Sequence, residues 1–427
     1  MRTLRFQWLP ILALLALCGW VNPVLAQEEK KEEPKQEQKE DQKEEAKEEK
    51  PAEEQKEEKP AEEQKEEKPA EKQEDKKPAE EKKEEPAEEK KEEPAQEGEE
   101  EATEEPAKPE LGSDAPEGTK AAVVLDGLNN PCGVAIQPET GTVFVADSGN
   151  YKIVKLVDGK AQDVITDFPK DVYGKGPKVN IGPLGMVFLG KDTLVVGGGG
   201  QPDGEELLRV YKLEDKAIKA DQMAASFKLE GTDDMKGEGN FYALAATPTA
   251  VYVTCNGDDT KGWVSRATIK DGALEGYERY LATKEATEVD APVGVTVSPE
   301  GYLVVGQMGE VNVPGDSLLT FYDAESKEML LNLETGLNDI AAVGYSSRGQ
   351  MYVLDYSWPN GEAGGLFQVL EDNSSDTGMK TKKIMSLDKP TAMAFDSNGD
   401  LYITIVGEAA EANSKGQLIK VTKEAGL

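Results

Sequence analysis

The chain has 427 residues and a formal net charge of −35, from 84 acidic against 49 basic side chains. A surface this negative repels a phosphate backbone and excludes nucleic acid as a partner. Histidine is absent altogether. That excludes Ser-His-Asp and Cys-His nucleophile pairs, histidine general bases and histidine-ligated zinc or iron. Any catalysis must run on carboxylates, amides, tyrosine, lysine or a carboxylate-bound metal.

In chain order, residues 1–26 read as a signal peptide: Arg2 and Arg5 precede an apolar stretch from Leu9 to Leu17, and Val24-Leu25-Ala26 supplies the small-residue cleavage signal before Gln27. The competing reading is an uncleaved anchor, because the apolar stretch is nearly long enough to span a bilayer. Cys18 follows a bulky Leu17 and fits a lipoprotein signal poorly. The expected location is secreted, periplasmic or cell-envelope, with no transmembrane segment once the signal is removed. Residues 27–117 are a Glu/Lys/Pro/Ala low-complexity segment in which EEKPAEEQK stands at Glu48 to Lys56 and again at Glu57 to Lys65. Nothing there offsets ordering entropy by burial, and Pro51, Pro60, Pro69 and Pro78 interrupt any helix, so a disordered acidic spacer is expected. A stalk that binds a cationic surface is the sharper alternative. Only Cys132 and Cys255 remain after cleavage, too few for a disulfide framework, and two small buried side chains are expected.

From residue 118 to 427 the composition turns to Val, Gly, Tyr and Asp. Pro131-Cys132-Gly133 opens an apolar run, a turn rich in Pro and Gly follows, then Val143-Phe144-Val145, then Asp147-Ser148-Gly149-Asn150 and Ile153-Val154-Lys155-Leu156. Short β-branched runs bounded by Gly, Pro, Asn and Asp are antiparallel strands. The same opening recurs at Pro183–Phe188, Phe241–Ala246, Pro292–Val297, Ile340–Tyr345 and Pro390–Phe395. Its small residue falls at Gly133, Gly185, Ala243, Gly294, Ala342 and Ala392. A period of about fifty residues leaves room for four strands, and a recurring Gly or Ala suits inner strands crowding a common axis. The fold class is therefore all-β, a six-bladed β-propeller. The stretch after Ala392 is too short for four strands, so Ala121-Ala122-Val123-Val124-Leu125 is expected to complete the last blade and close the ring.

The module from Pro131 to Leu156 resembles an NHL repeat, with its Pro-x-Gly opening, Gly-containing turn and Val-x-Asp-x-x-Asn. The later repeats are degenerate: Asp355 keeps the aspartate, while Gly198, Cys255, Gln307 and Ile405 stand at the other equivalent places. The resemblance implies the propeller fold and leaves function open, because such propellers include binding modules, enzymes and scaffolds.

In an antiparallel blade, the end of the second strand shares a face with the residues just before the first. Asp147, Cys255, Gln307 and Asp355 are therefore expected beside Asn129, Asn180, Asn240, Asp290, Asn338, Asp339 and Asp388, in a ring around one mouth of the central channel. The candidate ligand-binding residues are Asn129, Asp147, Asn150, Asp290, Gln307, Asn338, Asp339 and Asp355. Such a ring suits a cation or a polyol; alternatively, each Asx side chain caps its own turn. No cofactor is required by this pattern, although calcium or another divalent cation fits it. Asp396-Ser397-Asn398-Gly399-Asp400 lacks the distal Glu of a calcium loop and reads as a hairpin turn. Gly197 to Gly200 lacks the Lys-Ser/Thr of a phosphate cradle and reads as a flexible or close-packed loop. Trp263, Trp358 and the tyrosines either stack a sugar or pack between blades.

Two functions follow. The first is a non-enzymatic binding or scaffold module, a monomer on a charged stalk, with a protein or glycan surface as partner. The second is a histidine-free, divalent-metal-dependent lactonase or hydrolase, on a distant similarity to the gluconolactonase and regucalcin family. That family's Glu-Gly-Pro-x-Trp opening is replaced here by Asn129-Asn130-Pro131-Cys132-Gly133.

Overall fold

The computed structural model describes residues 109–427 except 174–177, 258–260, 359, 411–412 and 424–426. The expected signal peptide, and the expected spacer up to residue 108, lie outside the described residues. The β-branched and aromatic runs named above form six blades, each built on four antiparallel strands, and two of them carry a fifth strand at the outer edge, in blade 1 the parallel Ile218–Lys219. All five later openings have the strand limits expected from the sequence, from Pro183–Phe188 to Pro390–Phe395. The second strands, such as Val143–Asp147 and Leu401–Ile405, are buried along their whole length. A blade interior covered on both faces accounts for the continuous apolar runs, with no polar alternation.

The core is divided between the blades. One cluster joins blades 1 and 2 through Phe144, Ile153, Leu194 and Tyr211, and Phe144 meets Phe188 edge-to-face at 5.1 Å. Further clusters fill the remaining clefts, the last joining blade 6 to blade 1 through Val134, Val145, Tyr402 and Leu418. Each inner strand packs on the next, and the sixth on the first. Crowding at the axis explains the recurring small residue. A Cβ on Gly133 would lie 2.3 Å from the Leu184 carbonyl oxygen, and one on Gly185 would lie 2.2 Å from that of Tyr242.

The ring closes as the sequence implied. Lys120–Leu128 pairs with Gly416–Thr422 as the outer strand of blade 6, so the two ends of the fold share one sheet and protect its edge. Glu110 and Leu111, placed by the sequence within the spacer, pair with Ser386 and Met385 as a fifth strand of blade 5. The folded part therefore begins before residue 118. Leu111 has little apolar company in its own stretch, and only the blade 5 edge, invisible locally, gives it a partner. Among the described residues, the one α-helix is Thr283–Thr287, and no helix is long and apolar enough to cross a membrane.

Candidate functional site

The hydrogen bonds of the residues expected at one mouth show what each carboxylate and amide does. Asp147 ends the second strand of blade 1 and accepts from the Asn129 backbone N–H at 2.8 Å and from Asn150 Nδ2 at 2.9 Å. Asp355 repeats the arrangement in blade 5, accepting from the backbone N–H groups of Asn338 at 3.1 Å, Asp339 at 2.9 Å and Ser357 at 3.0 Å. Gln307 does the equivalent in blade 4 with an amide, donating to the Val289 carbonyl at 2.7 Å. All three are buried, and each ties the lead-in of its own inner strand to the end of the second. Burial raises the Asp147 and Asp355 carboxyls above the usual carboxylate range, against the lowering pull of the N–H groups they accept from.

The remaining candidates are distributed around the rim. Asn129 and Asn180 both donate to Asn413 Oδ1, and Asn129 Oδ1 accepts from the Ser414 backbone. A short hairpin of blade 6 thereby clasps blades 1 and 2. Asp290 pairs with Lys284 at 2.6 Å, Asp388 pairs with Lys389 at 2.8 Å, and Asn240 donates to the Asn256 carbonyl. Asn338 accepts from the Gly315 N–H and donates to Ser357 Oγ. Cys132 and Cys255 are buried, free thiols, both pushed up to about 12 by desolvation, which leaves them protonated and unreactive at neutral pH.

Asp339 differs from its neighbours. It is 1 % exposed, and its Oδ2 accepts from the Trp358 N–H at 2.5 Å, while its Oδ1 is buried without a hydrogen-bond partner. Burial pushes its carboxyl up to about 6, with the negative charges of Asp355 and Asp316 adding to the effect and the Trp358 N–H opposing it. Among the described residues, no three acidic or cysteine side chains converge as a metal cluster.

Tyr242 was not among the expected site residues. Its hydroxyl donates to the Thr391 carbonyl at 3.3 Å, from blade 3 to blade 6, its opposite number in a ring of six. The side chain thus lies across the axis. Beneath it the channel narrows to a cavity of about 70 Å³ lined by Gly133, Gly185, Ala243, Gly294, Ala342 and Met393. The signal was present in the column Cys132, Leu184, Tyr242, Val293, Ala341 and Thr391, which follows the opening position of each module and contains one large aromatic. Tyr356 also stands at this mouth, where it feels Cys132, Asp388 and Asp339, and it stacks on Trp358 with ring centroids 5.1 Å apart and planes inclined by 26°. Both residues are partly exposed.

The wider opening, about 320 Å³, is at the other end of the inner strands, where Thr296, Tyr345, Ala394 and Phe395 line it. The stretch read as a hairpin turn is one: Asp396 Oδ1 accepts from the N–H groups of Asn398 and Asp400. Of the four glycines read as a loop, Gly197 and Gly198 instead end the second strand of blade 2, and the site is close-packed, since a Cβ on Gly197 would meet the Phe241 carbonyl at 2.0 Å.

No protein-family model matches this chain, and no curated protein does. Solved structures are similar to it over about three quarters of its length. The PQQ-bound aldose sugar dehydrogenase of Streptomyces coelicolor is 14% identical, with a TM-score of 0.49 over 72% of this chain and 100% of that one. A gluconolactonase of Xanthomonas campestris is 14% identical, with a TM-score of 0.47 over 74% of this chain and 95% of that one. The soluble aldose sugar dehydrogenase of Escherichia coli, in its apo-form, is 11% identical with a TM-score of 0.47, covering 72% and 100%. At such identities and TM-scores the likeness assigns no activity, and the six-bladed architecture stands on the strand pairing described above.

Proposed function

We propose that this protein is an exported binding propeller that takes a polyhydroxylated partner, a glycan surface, at the mouth bearing Tyr356 and Trp358. The observation that carries the reading is the partly exposed Tyr356–Trp358 stack. It offers a flat aromatic face of the kind that packs on sugar C–H groups, beside the rim amides and carboxylates that would orient hydroxyls. Binding is favoured over catalysis because Tyr242 obstructs the axis at this mouth and Asp147 and Asp355 are engaged by their own turns. The test is binding of the full chain to a panel of neutral, acidic and amino-sugar polysaccharides, read by tryptophan fluorescence and calorimetry. Saturable binding that is lost in Trp358→Ala supports the reading; no binding to any of them, or binding indifferent to that change, refutes it.

A second reading, a histidine-free metal-dependent lactonase, is favoured by one specific observation: buried oxygens of Asp339 and Asp316 without hydrogen-bond partners. It expects hydrolysis of sugar lactones that depends on added divalent metal. A rate equal to the uncatalysed one across calcium, magnesium, manganese and zinc would remove it.

A further inference from the structure

Asp316 belongs to the loop between the second and third strands of blade 4, and Asp339 to the lead-in of blade 5. The residues flanking one are bonded to those flanking the other. The Gly315 N–H donates to Asn338 Oδ1 at 3.1 Å, the Ser317 hydroxyl donates to the Asn338 carbonyl at 2.8 Å, and the Ile340 N–H donates to Ser317 Oγ at 3.1 Å. The blade 4 loop is thereby tied to the lead-in of blade 5, and Asp316 lies near enough for its charge to act on the Asp339 carboxyl. Each uses one oxygen: Asp316 Oδ2 accepts from the Glu310 N–H at 2.9 Å and Asp339 Oδ2 from the Trp358 N–H at 2.5 Å. The second oxygen of each is buried with no donor, and neither residue is in an ion pair among those found between described residues. Buried anionic oxygens without donors are costly unless a proton or a cation lies against them.

We propose that Asp316 and Asp339 bind one hard divalent cation of the calcium type, off the channel axis and under the Trp358 loop, and that it clamps the blade 4 loop to blade 5. Two carboxylates supply the charge, and main-chain oxygens and water complete the six to eight oxygen ligands that calcium takes. The Trp358 backbone N–H rests on the other oxygen of Asp339, so a shift of that carboxylate on metal binding moves the Trp358 backbone and is read in the emission of its indole. The site does not depend on either functional reading, since occupancy is measured with no sugar or lactone present.

The experiment titrates the full chain, stripped with chelator, with calcium chloride and then magnesium chloride, following tryptophan emission and thermal melting. The Glu-rich N-terminal segment gathers calcium weakly on any account, which is why a local reporter and a matched variant are needed. The expected result is a saturable emission change and a raised melting temperature, both lost in D316N and D339N, kept in D290N, and with the emission change lost in W358F. D316N is the safer variant, because its asparagine oxygen still accepts from the Glu310 N–H. No response up to millimolar calcium, or one unchanged in a folded D316N, overturns the proposal. An emission change driven by pH alone would show that the two carboxylates share a proton instead.

Discussion

Removing the Asp355 side chain tests whether the rim carboxylates hold the blades. In D355A three backbone N–H groups, those of Asn338, Asp339 and Ser357, lose their acceptor. Each buried donor left unmade costs about 1–3 kcal/mol, and hydrogen bonds to a charged acceptor lie toward the upper end. Against that, the raised proton affinity of Asp355 shows that burying its charge is already unfavourable, so the substitution recovers part of the loss. A net destabilisation of about 3–5 kcal/mol is expected. D355N keeps one acceptor oxygen and turns an amide N–H toward a backbone donor, so about half that loss is expected. Asp147 serves one backbone donor and the exposed Asn150 side chain, so D147A should cost only about 1–2 kcal/mol. Urea denaturation of the three variants at neutral pH, followed by circular dichroism, gives the order directly. A D355A midpoint indistinguishable from that of the parent chain, or a D147A loss as large as that of D355A, would refute the reasoning.

Two further expectations concern the same chain. Asp339 has a folded-state pKa of about 6 against an ordinary value of 3.8, so the folded state binds more protons between those values and stability falls as pH rises through that window. In chelator-treated protein D339N should flatten this fall and gain about 1–2 kcal/mol at pH 7, a figure already reduced for solvent screening at the mouth; an unchanged pH profile would contradict it. At the axis, Gly185→Ala would set a Cβ 2.2 Å from the Tyr242 carbonyl oxygen and should cost about 1–3 kcal/mol by forcing blades 2 and 3 apart. Gly294→Ala, whose nearest contact is the Ala342 Cα at 3.0 Å, should cost less, and thermal melts that reversed this order would count against axial crowding as the reason for glycine.

What the sequence determined by itself was the blade and its repetition. Strand limits, turns and the small axial residue depend on neighbours a few residues away, and six similar openings at similar spacing leave one closed architecture. The turn-holding role of Asp147 and Asp355 was legible for the same reason, since each bonds within its own module. The tertiary structure decided what depends on the ring having closed. Tyr242 reaches Thr391 only because the third and sixth blades face one another across an axis, and the wider opening fell at the mouth opposite the acidic one. Leu111 found its partner on blade 5, and Asp316 came to lie near Asp339 because a loop of one blade is tied to the lead-in of the next. Local periodicity carries no information about such pairs, because their distances are set by the packing of blade on blade.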